Sequence, residues 1–221
     1  MTDIVVWAEQ RDNRLTEVSL EMLQKATELA DTLKGVVSAI LIGDCCRSLA
    51  DKLIHYGAAK VYLIEDDRLG LYQSDVYAKA GRDILSEIAP EIVLIGGTSI
   101  GMDFAPRVAA KLKTGLTAHC VDLCVEKIEG KDQLVHVVPG WGGKMMVKII
   151  CPERRPQIVT VHPGVMEKGK PDPSRVGEVI SLNPIIKDDD FKAKTLGIVT
   201  EEGEERTLEG ADIIVSGGFG L

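Results

Sequence analysis

Two glycine-rich stretches in this 221-residue chain carry residue types suited to holding a phosphate. The last nine residues, IIVSGGFGL, lead from Ile213, Ile214, Val215 and Ser216 into Gly217, Gly218, Phe219 and Gly220. An apolar strand entering such a turn begins many nucleotide sites, because glycines let backbone N–H groups approach a phosphate. Such a turn normally feeds a helix whose N-terminus completes the anion site, and no helix follows here. The second stretch, Gly96-Gly97-Thr98-Ser99-Ile100-Gly101, sits between an apolar run and an amphipathic one. Its hydroxyls and small residues suit a phosphate at a helix N-terminus. They equally suit a tight strand-to-helix turn at the carboxyl edge of a sheet. No Lys-Ser or Lys-Thr pair follows Gly101, so this is not a P-loop. A dinucleotide fingerprint is excluded in its standard form, because VVWAE leads into QRDNR with no glycine.

The remaining candidates are weaker. Cys120, Asp122 and Cys124 share one face if residues 118–126 form a single strand. A metal would need a further ligand, and His119 points to the opposite face; thiols on a strand are usually core filler. Cys45 and Cys46 are adjacent, a poor geometry for chelation or a disulfide. The four histidines lie far apart, and no nucleophile–base pair is readable from spacing. Trp141, in PGWGGKMM (139–146), sits in an expected hairpin loop, where it either contacts a partner or packs inward. The chain shows no catalytic constellation and no metal site, and reads as a protein that is not itself an enzyme.

The elements that must position these residues alternate at first. DIVVWAE (3–9) is an expected strand, followed by a helix with Leu15, Val18, Met22, Ala26, Leu29 and Leu33 on one stripe, closed by Gly35. Further strands are expected at 36–43, 60–66 and 91–97. Helices are expected at 47–56, from Ser74 to a stop at Pro90, and at 103–113, where Asp103 would cap and Pro106 would fall in the first turn. From residue 117 onward β-rich runs follow one another directly. The pattern predicts an α/β fold, a three-layer mostly parallel sheet with helices on both faces, plus an antiparallel β extension. Polar excursions occupy 167–178 and 187–194, and a domain boundary is expected near 190, giving units 1–190 and 191–221.

Composition narrows the function classes. The chain is 45% hydrophobic but only 4% aromatic, so its core is aliphatic, as suits a parallel sheet. A net charge of −8 without basic clusters disfavours nucleic acid and anionic membranes. An odd count of five cysteines makes no disulfide framework, and no secretory or membrane-spanning pattern is present. The expectation is a soluble, cytoplasmic protein.

Four stretches together resemble the alpha subunit of electron transfer flavoprotein: DIVVWAE; GGTSIGMDFAPRVAAKLKTGLTAHCVDL (96–123); PGWGGKMMVKIICPERRPQIVTVHPGVM (139–166); and ADIIVSGGFGL. Their order and spacing match over nearly the whole chain, and PRVAAKL and RPQIVTVHPGVM are the specific portions. The likeness is somewhat closer to an anaerobic branch associated with electron bifurcation than to the mitochondrial one. The resemblance implies an N-terminal α/β domain with an adenine-nucleotide alpha-hydrolase-like fold, followed by the first strand and turn of an FAD-binding domain. The chain would then be a fragment, with FAD bound by the longer subunit and none by this stretch alone. It implies a beta-subunit partner, with dehydrogenases as electron donors and quinone-oxidoreductase or ferredoxin-type acceptors. The α/β domain would be a docking scaffold beside which the flavin domain swings. The loop at 139–144 and the PRVAAKL helix are the first candidates for that interface. The runner-up is a stand-alone adenine-nucleotide module of the universal-stress kind, using Thr98, Ser99 and Gly101.

The resemblance also implies that Gly217, Gly218, Phe219 and Gly220 belong to the cofactor site, with one departure. The family usually has arginine where Phe219 stands. A guanidinium beside a flavin favours its anionic reduced forms, and phenylalanine, which can stack, supplies no charge. Phe219→Arg in the longer chain is therefore expected to raise the flavin's reduction potential; an unchanged potential would contradict this.

Overall fold

The computed structural model describes residues 3–184, 186–199 and 213–220. Six strands and four helices of an α/β layer structure come first in chain order: β1 (Asp3–Ala8), a two-rung hairpin of β2 (Gln10–Arg11) and β3 (Arg14–Leu15), α1 (Glu17–Leu33), β4 (Val36–Gly43), α2 (Ser48–His55), β5 (Lys60–Glu65), α3 (Ser74–Ile88), β6 (Ile92–Gly96) and α4 (Ser99–Leu112). Six more strands follow: β7 (Leu116–Cys120), β8 (Asp122–Ile128), β9 (Lys131–Gly140), β10 (Met145–Ile150), β11 (Gln157–Val161) and β12 (Glu178–Ser181).

The main sheet runs β12-β5-β4-β1-β6-β11-β7, and every pairing in it is parallel. The central strands are buried on both faces, which is why they read as continuous apolar runs. Alternation divides β1 between two cores: Ile4, Val6 and Ala8 face α1 and α2, while Val5 and Trp7 face α3 and α4. Each fully buried aliphatic side chain contributes about 1.5–3 kcal/mol. On the second face Trp7 stacks on Phe104 with ring centroids 3.8 Å apart and meets Tyr77 edge-on at 6.3 Å.

The antiparallel extension is a separate sheet, β10-β9-β8, rather than a continuation of the main one. Its inner side chains Leu123 and Leu134 join the core beneath α1. The expected single strand over 118–126 is broken at Val121, where β7 ends in the main sheet and β8 begins in the other; His119, inside β7, takes a left-handed φ of 58° where the pairing to β11 shifts register. Two helix ends also differ from expectation. Lys34, not Gly35, takes the left-handed position that closes α1. Helix α4 starts at Ser99 with Thr98 as its cap, so Asp103 lies inside it and Pro106 is interior. Proline there has no N–H to donate to the Met102 carbonyl.

Past β12 the chain stays docked. The Arg68 guanidinium bonds both Asp66 oxygens (2.9 and 2.7 Å), pairs with Asp188 (3.3 Å) and lies 5.6 Å over the Phe191 ring. These contacts hold 186–191 against the α3 side of the sheet, where Ile186 and Phe191 touch the core. Arg68 also holds the Asp66 carboxyl down at about 2. Among the described residues no helix is long and apolar enough to cross a membrane.

Between the two sheets His136 is buried, its Nδ1 2.8 Å from Thr117 Oγ1. Burial pushes its pKa down to about 4, the neighbouring Gln157 side chain opposing. The folded imidazole therefore stays neutral while the unfolded one takes a proton below about pH 6.5. Stability is expected to fall by up to about 3 kcal/mol as pH drops from 6.5 to 4. Urea unfolding across that window should show the slope, and His136→Gln should flatten it; equal slopes for both proteins would contradict the assignment.

Candidate functional site

In a parallel sheet, ligands bind where strand order reverses, outside the carboxyl ends of the strands. Here that point lies between β1, whose chain goes on to β4 on one side, and β6, whose chain goes on through α4 to β7 on the other. The Gly96–Gly101 turn is at this position. So is a cleft of about 380 Å³, lined among others by Trp7, Glu9, Tyr72, Ser99, Ile100 and Thr195.

The short hairpin after β1 determines what fills the reversal point. Asp12 and Asn13 both take left-handed φ values, 49° and 57°, which suits the tight turn of a two-residue hairpin. Ahead of that turn, Arg11 reaches Glu9 two residues back: Arg11 Nε donates to Glu9 Oε1 at 3.0 Å and its Nη2 stands 2.9 Å from the same oxygen. Glu9 is only 3% exposed. Its N–H donates to Ser19 Oγ (3.0 Å), and its carbonyl accepts from the Thr16 N–H (3.0 Å). The other carboxylate oxygen accepts from the Thr98 hydroxyl. Thr98 Oγ1 in turn accepts from the Gly101 N–H (3.0 Å), capping α4. The end of α4 that would attract a phosphate is thus served by a carboxylate of the chain itself.

The glycines of this turn are explained by close packing. A Cβ on Gly96 would meet Val18 at 2.7 Å, one on Gly97 would meet the Val161 carbonyl oxygen at 2.9 Å, and one on Gly101 would overlap the Gly96 carbonyl oxygen. Gly97 also donates its N–H to Val161 at 2.6 Å. Of the two readings of this stretch, the tight turn accounts for every glycine in it. The adenine-nucleotide reading of Thr98, Ser99 and Gly101 is not favoured. The Glu9 contribution has a sequence signal only in hindsight, as an acidic residue directly after the first parallel strand.

The other candidates separate. Cys120 is buried at the end of β7, its thiol pushed up to about 12 by burial. Asp122 opens β8 and pairs with Lys25 at 3.0 Å, while Cys124 is half-buried, its Sγ near Glu126. With the strand broken at Val121, Cys120 lies in a different sheet from Asp122 and Cys124. Burial pushes the Cys46 thiol up to about 11, and Cys45 is exposed. Trp141 does not pack inward: it is 84% exposed at the tip of the β9–β10 hairpin. Gly217, Gly218, Phe219 and Gly220 are exposed, with a turn at 219–220, and residues 213–216 are irregular rather than the expected strand.

The sequence matches the family described as electron transfer flavoprotein domain over residues 4–186. It is 45% identical over 218 residues to the electron transfer flavoprotein subunit alpha of Megasphaera elsdenii, covering 99% of this chain and 64% of the relative. The subunit alpha of Thermoanaerobacterium thermosaccharolyticum is 43% identical over 220 residues, covering 99% and 66%. The acryloyl-CoA reductase electron transfer subunit beta of Anaerotignum propionicum is 36% identical over 241 aligned positions, covering 99% and 66%. The chain therefore spans slightly less than two thirds of the length of these relatives.

Removal of the capping hydroxyl by Thr98→Ala should cost about 1–2 kcal/mol in urea unfolding. Gly101→Ala, which forces α4 away from β6, should cost more than about 3 kcal/mol. A Gly101→Ala protein as stable as the parent would contradict the close approach.

Proposed function

Because the chain belongs to the electron transfer flavoprotein family, we propose that it is the scaffold portion of an alpha-type subunit that works with a beta-type subunit in an FAD-dependent electron carrier. The observation that carries this reading is the family match over residues 4–186, which takes in the main sheet from Ile4 of β1 through β12. In this reading residues up to about 190 form the docking unit, and 191–221 lead into the flavin-binding unit. The electron donors are dehydrogenases, and the acceptors are of the quinone-oxidoreductase or ferredoxin type. The name of the Anaerotignum relative favours an acyl-CoA-linked redox enzyme among these partners.

Gly217, Gly218, Phe219 and Gly220 are the proposed cofactor contacts. Among the described residues this turn has no walls. Phe219 is fully exposed, and a Cβ on Gly218 or Gly220 would meet nothing within 4 Å. A flavin ring needs packing on its faces, so these residues alone do not fit one, and FAD belongs to the assembled carrier. What the chain's own residues supply is rigidity. The Glu9–Thr98 contact ties the end of β1 to the start of α4 at the reversal point, and the Arg68 contacts hold the root of the connection at 186–191. Motion between a rigid platform and a flavin unit limits electron transfer by positioning, so such a platform is functional without a catalytic side chain.

Co-expression with a beta-type subunit, followed by gel filtration and a visible spectrum, tests the reading. The chain should elute with the subunit as a one-to-one complex and should be colourless on its own. A flavin spectrum from the isolated chain, or no complex at all, would overturn it.

A further inference from the structure

The cleft of about 380 Å³ at the carboxyl edge has aromatic walls. Trp7, only 3% exposed, and the buried Tyr77 line it, and Tyr72 meets Tyr77 edge-on with ring centroids 5.0 Å apart. Its size is that of a small-ligand pocket, roughly 300–1,000 Å³. Such a pocket orients its ligand with a few free polar groups. Here the phenols and the buried carboxylate are engaged by the chain. The Tyr72 hydroxyl donates to Asp103 Oδ2 (2.7 Å), the Tyr77 hydroxyl donates to the Leu69 carbonyl (2.6 Å), and Glu9 is held by Arg11 and Thr98. Ile42, Leu71 and Ile100 complete an apolar seat beside the rings.

The chain brings its own side chain to that seat. Thr195 Oγ1 donates to the Tyr72 carbonyl at 3.1 Å, and Thr195 and Ile198 both border the cleft. Just upstream, Phe191 packs on the core of the α3 face, so this stretch reaches the mouth already anchored. From there it reads Thr195-Leu196-Gly197-Ile198-Val199, and its three aliphatic side chains lie in the open. Leu196 is 92% exposed, Ile198 71% and Val199 94%. Apolar side chains grouped on a surface are unfavourable unless they serve a contact. Ile198 lies three residues beyond the Thr195 anchor, so seating it closes only a short loop. Gly197 between them, with nothing within 4 Å of its Cβ position, leaves the backbone free to turn. We propose that Thr195–Val199 is a strap poised at this mouth, which closes the cleft by seating Ile198 against the rings of Trp7, Tyr72 and Tyr77. Open and closed are then two states of one segment, with Thr195 as the fixed end. In the reading above the same segment leads into the flavin-binding unit, so tension on the connection opens the cleft and slack closes it. That role rests on the two-subunit reading; the strap itself does not.

The test needs only the purified chain. In a sample with isotope-labelled isoleucine methyl groups, the Ile198 methyl is assigned as the resonance lost in Ile198→Val. Ring currents should shift it upfield of an unstructured isoleucine. Thr195→Val, which removes the anchoring hydroxyl, should return it most of the way. A second readout is Trp7 fluorescence in a Trp141→Phe background, since the chain has two tryptophans. Ile198→Ser removes the apolar side chain that holds the strap closed and should raise acrylamide quenching of Trp7 about twofold or more. Leu196→Ser, outside the cleft, should leave the quenching unchanged. Because the substituted side chains are exposed, all variants should keep the parent's circular dichroism. An Ile198 methyl at the unstructured position, or equal quenching of the parent and Ile198→Ser, would overturn the strap and leave the two-subunit reading standing. Saturable binding of p-cresol to the parent, with the Ile198 methyl still at the unstructured position, would give the cleft to a small aromatic ligand instead.

Discussion

The approach of α4 to β6 is the constraint on which the centre of this fold depends. Gly101 lets the helix sit with its first turn against the Gly96 carbonyl of the strand it follows, while Gly96 and Gly97 admit Val18 of α1 and the Val161 carbonyl of β11 beside it. That closeness brings the Thr98 hydroxyl within reach of the end of β1, where Glu9 meets it. The buried carboxylate is tolerable because Arg11, two residues along the chain, bonds its other oxygen. One short hairpin, one cap and one packing contact thus settle together what the reversal point of the sheet can accept. The outcome is a nucleotide-type architecture whose anion position is satisfied from within.

That arrangement separates fold from function in a useful way. A parallel sheet with helices on both faces is shared by many unrelated activities, and its carboxyl edge is where a ligand would first be sought. Here the edge is used for internal cohesion. The surfaces left available are the free side of the antiparallel sheet and the strip at 186–191, held by Arg68. A domain built this way acts through what it holds in place.

Sequence patterning was most legible where burial is two-sided. β1, β4 and β6 could be located to within a residue because each is an unbroken apolar run, and α1 because its stripe repeats every three or four residues. Legibility failed where a single backbone torsion decides the outcome. His119 adopts a left-handed φ that no residue type announces, and the strand ends just after it, leaving Cys120 and Cys124 in different sheets. Pro106 suggested a helix start because proline favours the first turn, yet the Thr98 cap and the glycine contact impose an earlier start. β12 escaped notice because it is a four-residue edge strand with polar ends, lying just after the polar excursion at 167–178. At the site the turn itself was visible from its glycines and hydroxyls. Its occupant was not, since Glu9 lies 89 positions from Thr98 and only the parallel pairing of β1 with β6 brings them together.

The central claim is that the carboxyl edge is closed by the chain's own carboxylate. Calorimetric titration of the isolated chain with ATP, ADP and AMP tests it most directly. The account predicts no binding heat for any of the three at millimolar concentration. Saturable binding of one of them, abolished by a bulky substitution at Ser99, would contradict it and return the reversal point to use as a nucleotide site.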